Sequence, residues 1–375
     1  MKELGPRILL TTDAVGGVWV FATTLAAGLA ARGSRVILVV QGPAPRAEQF
    51  VSARAMPGVE TVVTDFALEW MDPEGKDFAR AAAGLTALAR RYRPDIIHLN
   101  SYREAAADWP APVVVTAHSC VRSWWRACRG EEPAEPRWAP YLVNVETGLA
   151  MADCWTAPTQ WFRDEIQALY APPSPGRVVR NGIDIDLQLA PKDAFILAAG
   201  RLWDEAKNIG ALATVAAGLP WPVLVAGPEC LGTNEIAAAS SLKMLGTLAR
   251  PDLLALMRRA GVFVVPALYE PFGLAALEAA AAGCALVLAD IPSLRELWMG
   301  AAVFFDPRDP TDLARALNSV CDDPALRRRL QRAAMHRTRR YRAAAMVERF
   351  AELYRTLLTR QTRIRWPLLL AGTRS

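Results

Sequence analysis

Two glutamates stand eight residues apart in the stretch ALYEPFGLAALEAA, residues 267–280. Glu270 precedes a Pro-Phe-Gly turn, and Glu278 lies five residues past Gly273 in a run of alanine and leucine. An acid in so apolar a run is expected to be buried or half-buried. A buried carboxylate without a partner costs roughly several kcal/mol, so Glu278 is expected to bind something. Ribose hydroxyls are natural donors to it. Dipole stabilisation explains an acid in a first helical turn better than it explains Glu278. The amides of Gly273 and Leu274, just after Phe272, open the helix and can face a phosphate or a sugar.

Other polar residues fall at the ends of apolar runs. AAGRLWDEAKN places Arg201 and Lys207 six residues apart, directly after one such run. Arginine offers a planar fork to phosphate oxygens and lysine a mobile point charge, so the pair suits a diphosphate; plain surface charge is the alternative. TTDAVGGVW carries Gly16 and Gly17 between a strand-like run and a helix-like one. The glycine pair either serves a tight turn or lets backbone amides approach an anion. It is neither G-x-G-x-x-G nor a P-loop, which argues against a dinucleotide enzyme. VVVTAHSC ends on His118, one of three histidines, and its position at a strand end directs it to a cleft. His98, inside DIIHLN, is expected to pack or cap within the sheet.

The elements that must position these residues are legible as unbroken apolar runs separated by helical stretches. That pattern belongs to parallel strands buried on both faces. Strands are expected at 7–12, 35–40, 95–100 and 113–118, with helices near 18–32, 77–92 and 159–170, and the run at 177–184 closes the half. The pattern restarts with strands at 194–200, 221–227, 261–268, 285–290 and 302–307. Helices near 207–218, 251–260, 273–283 and 311–321 separate them, and only helix follows residue 324. The reading is an α/β chain with one doubly wound domain over 1–186, a linker at 187–193 and a second such domain over 187–343. A helical tail, 344–375, follows. Open parallel sheets bind ligands at the carboxyl ends of their strands, where all the candidate residues fall.

Composition narrows the function classes. Of 375 residues, 52% are hydrophobic and 22% charged, an ordinary globular balance. The net charge of +5 is uneven, since residues 327–365 alone hold thirteen arginines. These read as a solvated helical face or as a peripheral contact with anionic lipid. No nucleic-acid-binding module accompanies them, so nucleic acid is not expected. Cys120, Cys128, Cys154, Cys230, Cys284 and Cys321 are scattered, with no metal-ligand spacing, and read as free thiols in a reducing compartment. Residues 14–31 and 209–228 are uncharged, but the first is Ala/Thr-rich and follows a strand. The second is split by Pro220 and Pro222. The N-terminus lacks the pattern of a signal peptide. A cytoplasmic protein is expected, with the inner membrane face as its one membrane contact.

Together these stretches resemble a retaining glycosyltransferase of the GT-B fold, family 4 (glycosyl transferases group 1). The resemblance covers nearly the full length, from GGVWVFATTLAAGLAARGSRV to AAVFFDPRDPTDLARAL. Its most specific part is E-x7-E, Glu270 to Glu278, supported by VRNGID (179–184) and GRL…K (200–207). It implies two Rossmann-like domains facing across a cleft, the first on the acceptor side and the second on the donor side, with the last helix crossing back. It implies transfer of a hexosyl group from a nucleotide sugar, UDP- or GDP-linked, to a saccharide, lipid-linked or small-molecule hydroxyl, without cofactor or metal. Gly16 and Gly17 would approach the donor diphosphate, and His118 the donor sugar. Arg201 and Lys207 would neutralise the leaving diphosphate; Glu270 would hold sugar hydroxyls and Glu278 the ribose. The backbone of Phe272, Gly273 and Leu274 would meet sugar and phosphate. Asn181 would organise the interdomain region, and the DID at 184–186 is not read as a metal motif. The segment 121–140 matches no pattern of the family. Trp124, Trp125 and Arg126 in it are candidates to touch the acceptor, or to pack. A GT-B-type epimerase and a non-enzymatic module using the basic tail are the rival readings.

Overall fold

The computed structural model describes residues 5–184, 190–228 and 241–371, with the backbone of 230–231 and 234–235; past residue 360 it describes backbone only. The first half forms β1 (Arg7–Asp13), α1 (Gly17–Ala31), β2 (Arg35–Gln41), α2 (Ala47–Arg54), β3 (Val59–Val63) and α3 (Phe78–Tyr92). It continues through β4 (Ile96–Leu99), β5 (Val113–Thr116), α4 (Val121–Arg129), α5 (Ala139–Met151), β6 (Cys154–Ala157), α6 (Gln160–Tyr170) and β7 (Arg177–Val178). Its seven parallel strands run in the order β3-β2-β1-β4-β5-β6-β7.

The second half holds β8 (Asp193–Ala199), α7 (Ile209–Val215), β9 (Val223–Ala226), a hairpin of β10 (Cys230–Leu231) and β11 (Asn234–Glu235), and β12 (Leu242–Met244). Then come α8 (Arg250–Arg259), β13 (Ala260–Val265), α9 (Leu274–Ala281), β14 (Ala285–Ala289), α10 (Pro292–Trp298) and β15 (Ala302–Phe305). The helices α11 (Pro310–Asp322), α12 (Pro324–Thr338) and α13 (Ala343–Ala371) close the chain. The second sheet is also parallel, ordered β12-β9-β8-β13-β14-β15. Strand order reverses beside β1 in one sheet and beside β8 in the other, which opens a crevice at the carboxyl end of each.

The strands form where the apolar runs do because both faces are covered: Ile8, Leu9 and Leu10, like Leu286, Val287 and Leu288, are fully buried. The run at 177–184 joins the first sheet only through Arg177 and Val178. Asn181 and Gly182 leave the sheet to meet the returning chain. Ile183 N donates to Tyr341 O (3.1 Å) and Ala343 N to Ile183 O (3.2 Å). A Cβ on Gly182 would lie 2.4 Å from Arg342 O, so this crossing requires glycine. Segment 121–140 contains α4 and the start of α5. The linker expected at 187–193 lies partly outside the described residues, as do Ile185, Asp186, the first four residues and the Cys230 side chain.

The helix α13 packs on the first sheet's helix α1. Met346, Val347, Phe350, Leu353, Tyr354 and Leu357 are buried there with Phe21, Leu25 and Leu29. A Cβ on Gly28 would meet Val347 Cγ2 at 2.4 Å, so α1 admits this helix only without a side chain there. Six buried apolar side chains contribute on the order of 10 kcal/mol before ordering entropy is subtracted. His98 fixes the same contact as a polar bolt, with Nδ1 2.6 Å from Tyr354 Oη and Nε2 2.7 Å from Thr116 Oγ1. Residues 14–31 fall in the turn after β1 and in α1, whose Phe21, Leu25 and Leu29 are buried. Among the described residues no helix is long and apolar enough to cross a membrane. Cys120, Cys128, Cys154, Cys284 and Cys321 are free and buried.

Candidate active site

A cavity of about 350 Å³ lies between the two sheets at the carboxyl ends of their strands. Gly16, Gly17 and His118 line it from the first domain. Arg201, Lys207, Glu270, Phe272, Gly273, Leu274 and Glu278 line it from the second. Residues up to 262 positions apart in sequence thus share one cleft.

The centre of the cleft is an ion pair between Lys207 Nζ and Glu270 Oε2 at 2.7 Å. The other carboxylate oxygen, Oε1, accepts the Gly273 amide at 2.9 Å. Burial works to raise the Glu270 carboxyl, but the charge and hydrogen bond of Lys207 outweigh it and leave the group below the ordinary glutamate range. Glu270 is therefore a fixed anion committed to its neighbours rather than a group poised to move a proton. Gly273 adopts φ 81°, a left-handed conformation that favours glycine, and α9 starts at the next residue. The Lys207 loop is itself anchored: Asp204 caps the turn of Glu205–Lys207, and Asn208 Nδ2 donates to Pro266 O and Pro307 O.

Arg201 reaches from the second domain to the first. Its Nη1 lies 3.0 Å from where a Cβ on Gly16 would stand, so Gly16 gives the guanidinium its place against the backbone. Its Nη2 binds Asp204 Oδ2 at 2.7 Å, and its buried Nε has no hydrogen-bond partner among the described residues. Arg201 and Lys207 outweigh the effect of burial on Asp204 and hold its carboxyl below the usual range.

His118 is held as one neutral tautomer. Asn100 Nδ2 donates to Thr11 O, which turns its Oδ1 toward His118 Nε2 at 2.8 Å. The proton must then sit on Nε2, leaving Nδ1 an acceptor. Burial pushes the imidazole pKa down to about 3, so it carries no charge near neutrality.

Glu278 corrects one expectation. It is buried, yet it is not unpartnered: Arg250 Nη2 and Nε donate to its Oε1 at 2.7 and 3.0 Å. Burial alone does not require a ligand there. Trp124 lines the cleft and donates its indole N–H to Asp204 Oδ1 at 3.0 Å. Trp125 and Arg126 are not brought to the cleft. Trp125 is buried under the Arg129 guanidinium, and exposed Arg126 pairs with Glu132 at 3.5 Å.

Residues not counted among the site candidates also belong here, Asn181 among them, which the resemblance assigned to the interdomain region. Asp204 was signalled by its capping position before the 205–207 turn. Asn181 lines the cleft with a buried Oδ1 that has no hydrogen-bond partner among the described residues. Tyr269, next to Glu270, crosses to the His118 loop; its hydroxyl lies 2.8 Å from Ser123 Oγ and accepts the Cys120 amide at 3.2 Å. Tyr269→Phe is expected to lower kcat on the order of tenfold with little change in substrate KM. Its two hydrogen bonds, about 1 kcal/mol each, then position the Glu270 and His118 loops against each other. Steady-state kinetics beside a thermal melt checks it; a lowered Tm with unchanged kcat would reduce Tyr269 to a structural role.

Residues 15–187 match the model of Glycosyltransferase Family 4, and residues 180–337 that of Glycosyl transferases group 1. A glycogen synthase of Mycobacterium tuberculosis is 31% identical over 365 residues, covering 86% of each chain. A D-inositol 3-phosphate glycosyltransferase of Thermobispora bispora is 27% identical, covering 72% of each. Among solved structures, sucrose-phosphate synthase of Thermosynechococcus elongatus superposes with a TM-score of 0.77 at 19% identity, over 94% of this chain and 99% of that one. HepE of Anabaena, in complex with UDP-glucose, gives 0.73 at 18% identity, over 94% and 100%. Two parallel-sheet domains with a returning C-terminal helix define a GT-B protein. The chain belongs to the glycosyl transferases group 1 family, and it is a glycosyltransferase.

Proposed function

We propose that the cleft binds a nucleotide-diphosphate sugar and transfers its hexosyl group to an acceptor hydroxyl with retention of configuration, without a metal ion. The observation that carries this reading is the convergence of Lys207, Arg201 and the α9 amides on one cavity in which Glu270 is locked as an anion by Lys207 and the Gly273 amide. Negative charge grows on a departing diphosphate as the sugar becomes cationic. Fixed cations and helix-end amides stabilise that charge without reorganising. Glu270 holds sugar hydroxyls, and neutral His118 offers an acceptor at Nδ1. Glu278 accepts ribose hydroxyls on the side Arg250 leaves open. Among the described residues of the cleft, Glu270 is held as an anion and His118 is a very weak base, which favours a leaving phosphate oxygen that receives the acceptor proton on the same face.

The first domain, to about residue 186, then presents the acceptor and the second, 187–343, the donor. Trp124 stands at the acceptor side. Family membership weighs against the epimerase and binding-module readings. The solved complexes of HepE with UDP and glucose, with UDP and with UDP-glucose favour a UDP-sugar donor, with GDP the second choice.

A thermal-shift series with UDP, GDP, ADP and dTDP tests the reading. The correct nucleotide at a hundred times its Kd stabilises the native state by about 2.7 kcal/mol and should raise Tm by several degrees. No shift with any of the four would sink it. Turnover unchanged by EDTA and an unchanged anomeric configuration in the product test the metal and retention components.

A further inference from the structure

A second cavity, of about 510 Å³, lies away from the cleft and shares no lining residue with it. It sits where the chain crosses between the domains twice. Arg177 and Arg180 line it from the end of the first sheet, Arg340 and Arg342 from the returning segment, and Arg349 from α13. Two of the five have acidic partners: Arg180 pairs with Glu296 at 3.0 Å, and Arg349 with Glu352 at 3.5 Å. Arg177, Arg340 and Arg342 have no ion pair among the described residues. A smaller cavity beside it, lined by Arg177, Arg360, Ser174 and Thr356, extends the basic surface along α13.

Guanidinium groups gathered on three segments repel one another, and two acids do not balance five cations. The field is felt at both ends of the groove. Burial raises the Tyr341 hydroxyl, and Arg180, Arg337 and Arg340 pull against that rise. Burial likewise raises the Cys154 thiol, opposed by Arg177 and Arg360. A planar guanidinium fork matches phosphate oxygens, and the cavity has the volume of a small-molecule site.

We propose that this groove is a binding site for a multiply phosphorylated anion, held by Arg177, Arg340 and Arg342 across the two interdomain crossings. The anion is either a free small molecule or a lipid headgroup, since both present the same clustered phosphates. Bound there, it ties the end of the first sheet to the return segment. That segment is already hydrogen-bonded to Ile183, two residues from Asn181 of the cleft. The site does not depend on the proposed transferase chemistry.

The test is made on the full chain carrying Lys207→Ala, which weakens anion uptake in the cleft, with and without the further changes Arg177→Ser, Arg340→Ser and Arg342→Ser. All three sites are exposed, so an unchanged Tm is expected. Calorimetric titration with inorganic pyrophosphate should show at least about tenfold weaker binding in the triple variant, as three charge-assisted contacts are lost. Co-sedimentation with phosphatidylcholine vesicles, with and without cardiolipin, forms the other arm. Loss of pyrophosphate binding alone assigns a soluble ligand, loss of cardiolipin-dependent sedimentation alone a lipid headgroup, and loss of both the shared chemistry. If the triple change alters neither, the proposal is overturned.

Discussion

Lys207→Ala should lower turnover about 10²–10³-fold while the protein stays folded, the range for losing one fixed donor at a site of developing charge. Two effects add. The cation nearest the centre of the cleft disappears, and Glu270 loses its 2.7 Å partner. What remains for the carboxylate is the Gly273 amide and a longer contact to Phe272, so burial dominates and its pKa rises. A carboxylate that must now take up a proton can no longer accept from sugar hydroxyls as an anion. Lys207→Arg should recover only part of the rate, because a longer fork in the same space displaces Glu270. Glu270→Gln tests the pair from the other side. If the two residues act as a unit, the double variant is no slower than the worse single one. Nucleotide release under single-turnover conditions, set against a far-ultraviolet melt, separates chemistry from unfolding. Turnover within threefold of the parent enzyme would remove Lys207 from the mechanism.

The same residue shows how far the sequence could be read. Lys207, Arg201, Glu270 and His118 stood out because each follows a strand buried on both faces, and such strands announce themselves as unbroken apolar runs. Strand ends in a doubly wound sheet gather at one edge, so position alone pointed to a shared cleft. The strands that escaped notice lack that signal. VETVV in β3 is only partly buried on the sheet's edge, and CWTA in β6, though wholly buried, is too short to stand out as an apolar run. Partners far apart in sequence were equally illegible. Nothing local says that Arg250 will meet Glu278 across 28 residues, or that Tyr269 will reach Cys120 across 149. Those contacts depend on how two domains and two sheet edges close, which propensity and spacing do not encode. Trp125 and Arg126 illustrate the converse. Aromatic and basic residues in one short helix looked suited to a sugar, but a helix points adjacent residues about 100° apart, and only Trp124 faces the cleft.

The largest effect on stability is expected at Arg103, in a cluster no apolar pattern foretells. Arg103 is almost wholly buried after β4. Its Nε donates to Glu104 Oε1 at 2.8 Å, its Nη1 to Asp72 Oδ2 at 2.8 Å and its Nη2 to Ala67 O at 2.6 Å. Ser101 Oγ donates to the other oxygen of Glu104, and the amides of Tyr102 and Arg103 donate to Glu69 Oε2. One guanidinium thus ties two strand-end loops together. Trp70, next to Glu69, stacks on Trp203 of the second domain with ring centroids 6.3 Å apart, and the Arg201 guanidinium lies 5.4 Å from that second ring. Arg103→Met keeps much of the volume but strands Glu104 and Asp72, and should cost about 3–5 kcal/mol, the range for breaking a buried ion pair from one side. Arg103→Lys should rescue little, since an ammonium cannot span three acceptors in a plane. The pH dependence has a definite sign. Burial, reinforced by the Glu104 charge, already raises the Glu69 carboxyl against the opposing charge of Arg103, so removing Arg103 raises Glu69 further. A folded-state pKa above the unfolded value means that the folded chain binds more protons. Stability is then lost as pH rises past the ordinary carboxylate range. The deficit of Arg103→Met should therefore be smaller at about pH 5 than at about pH 8. Urea unfolding of the parent and variant at the two pH values, followed by near-ultraviolet circular dichroism, reads it directly. A deficit that stays below 1 kcal/mol at both, or that shrinks at the higher pH, would mean that water rather than Arg103 satisfies these acids.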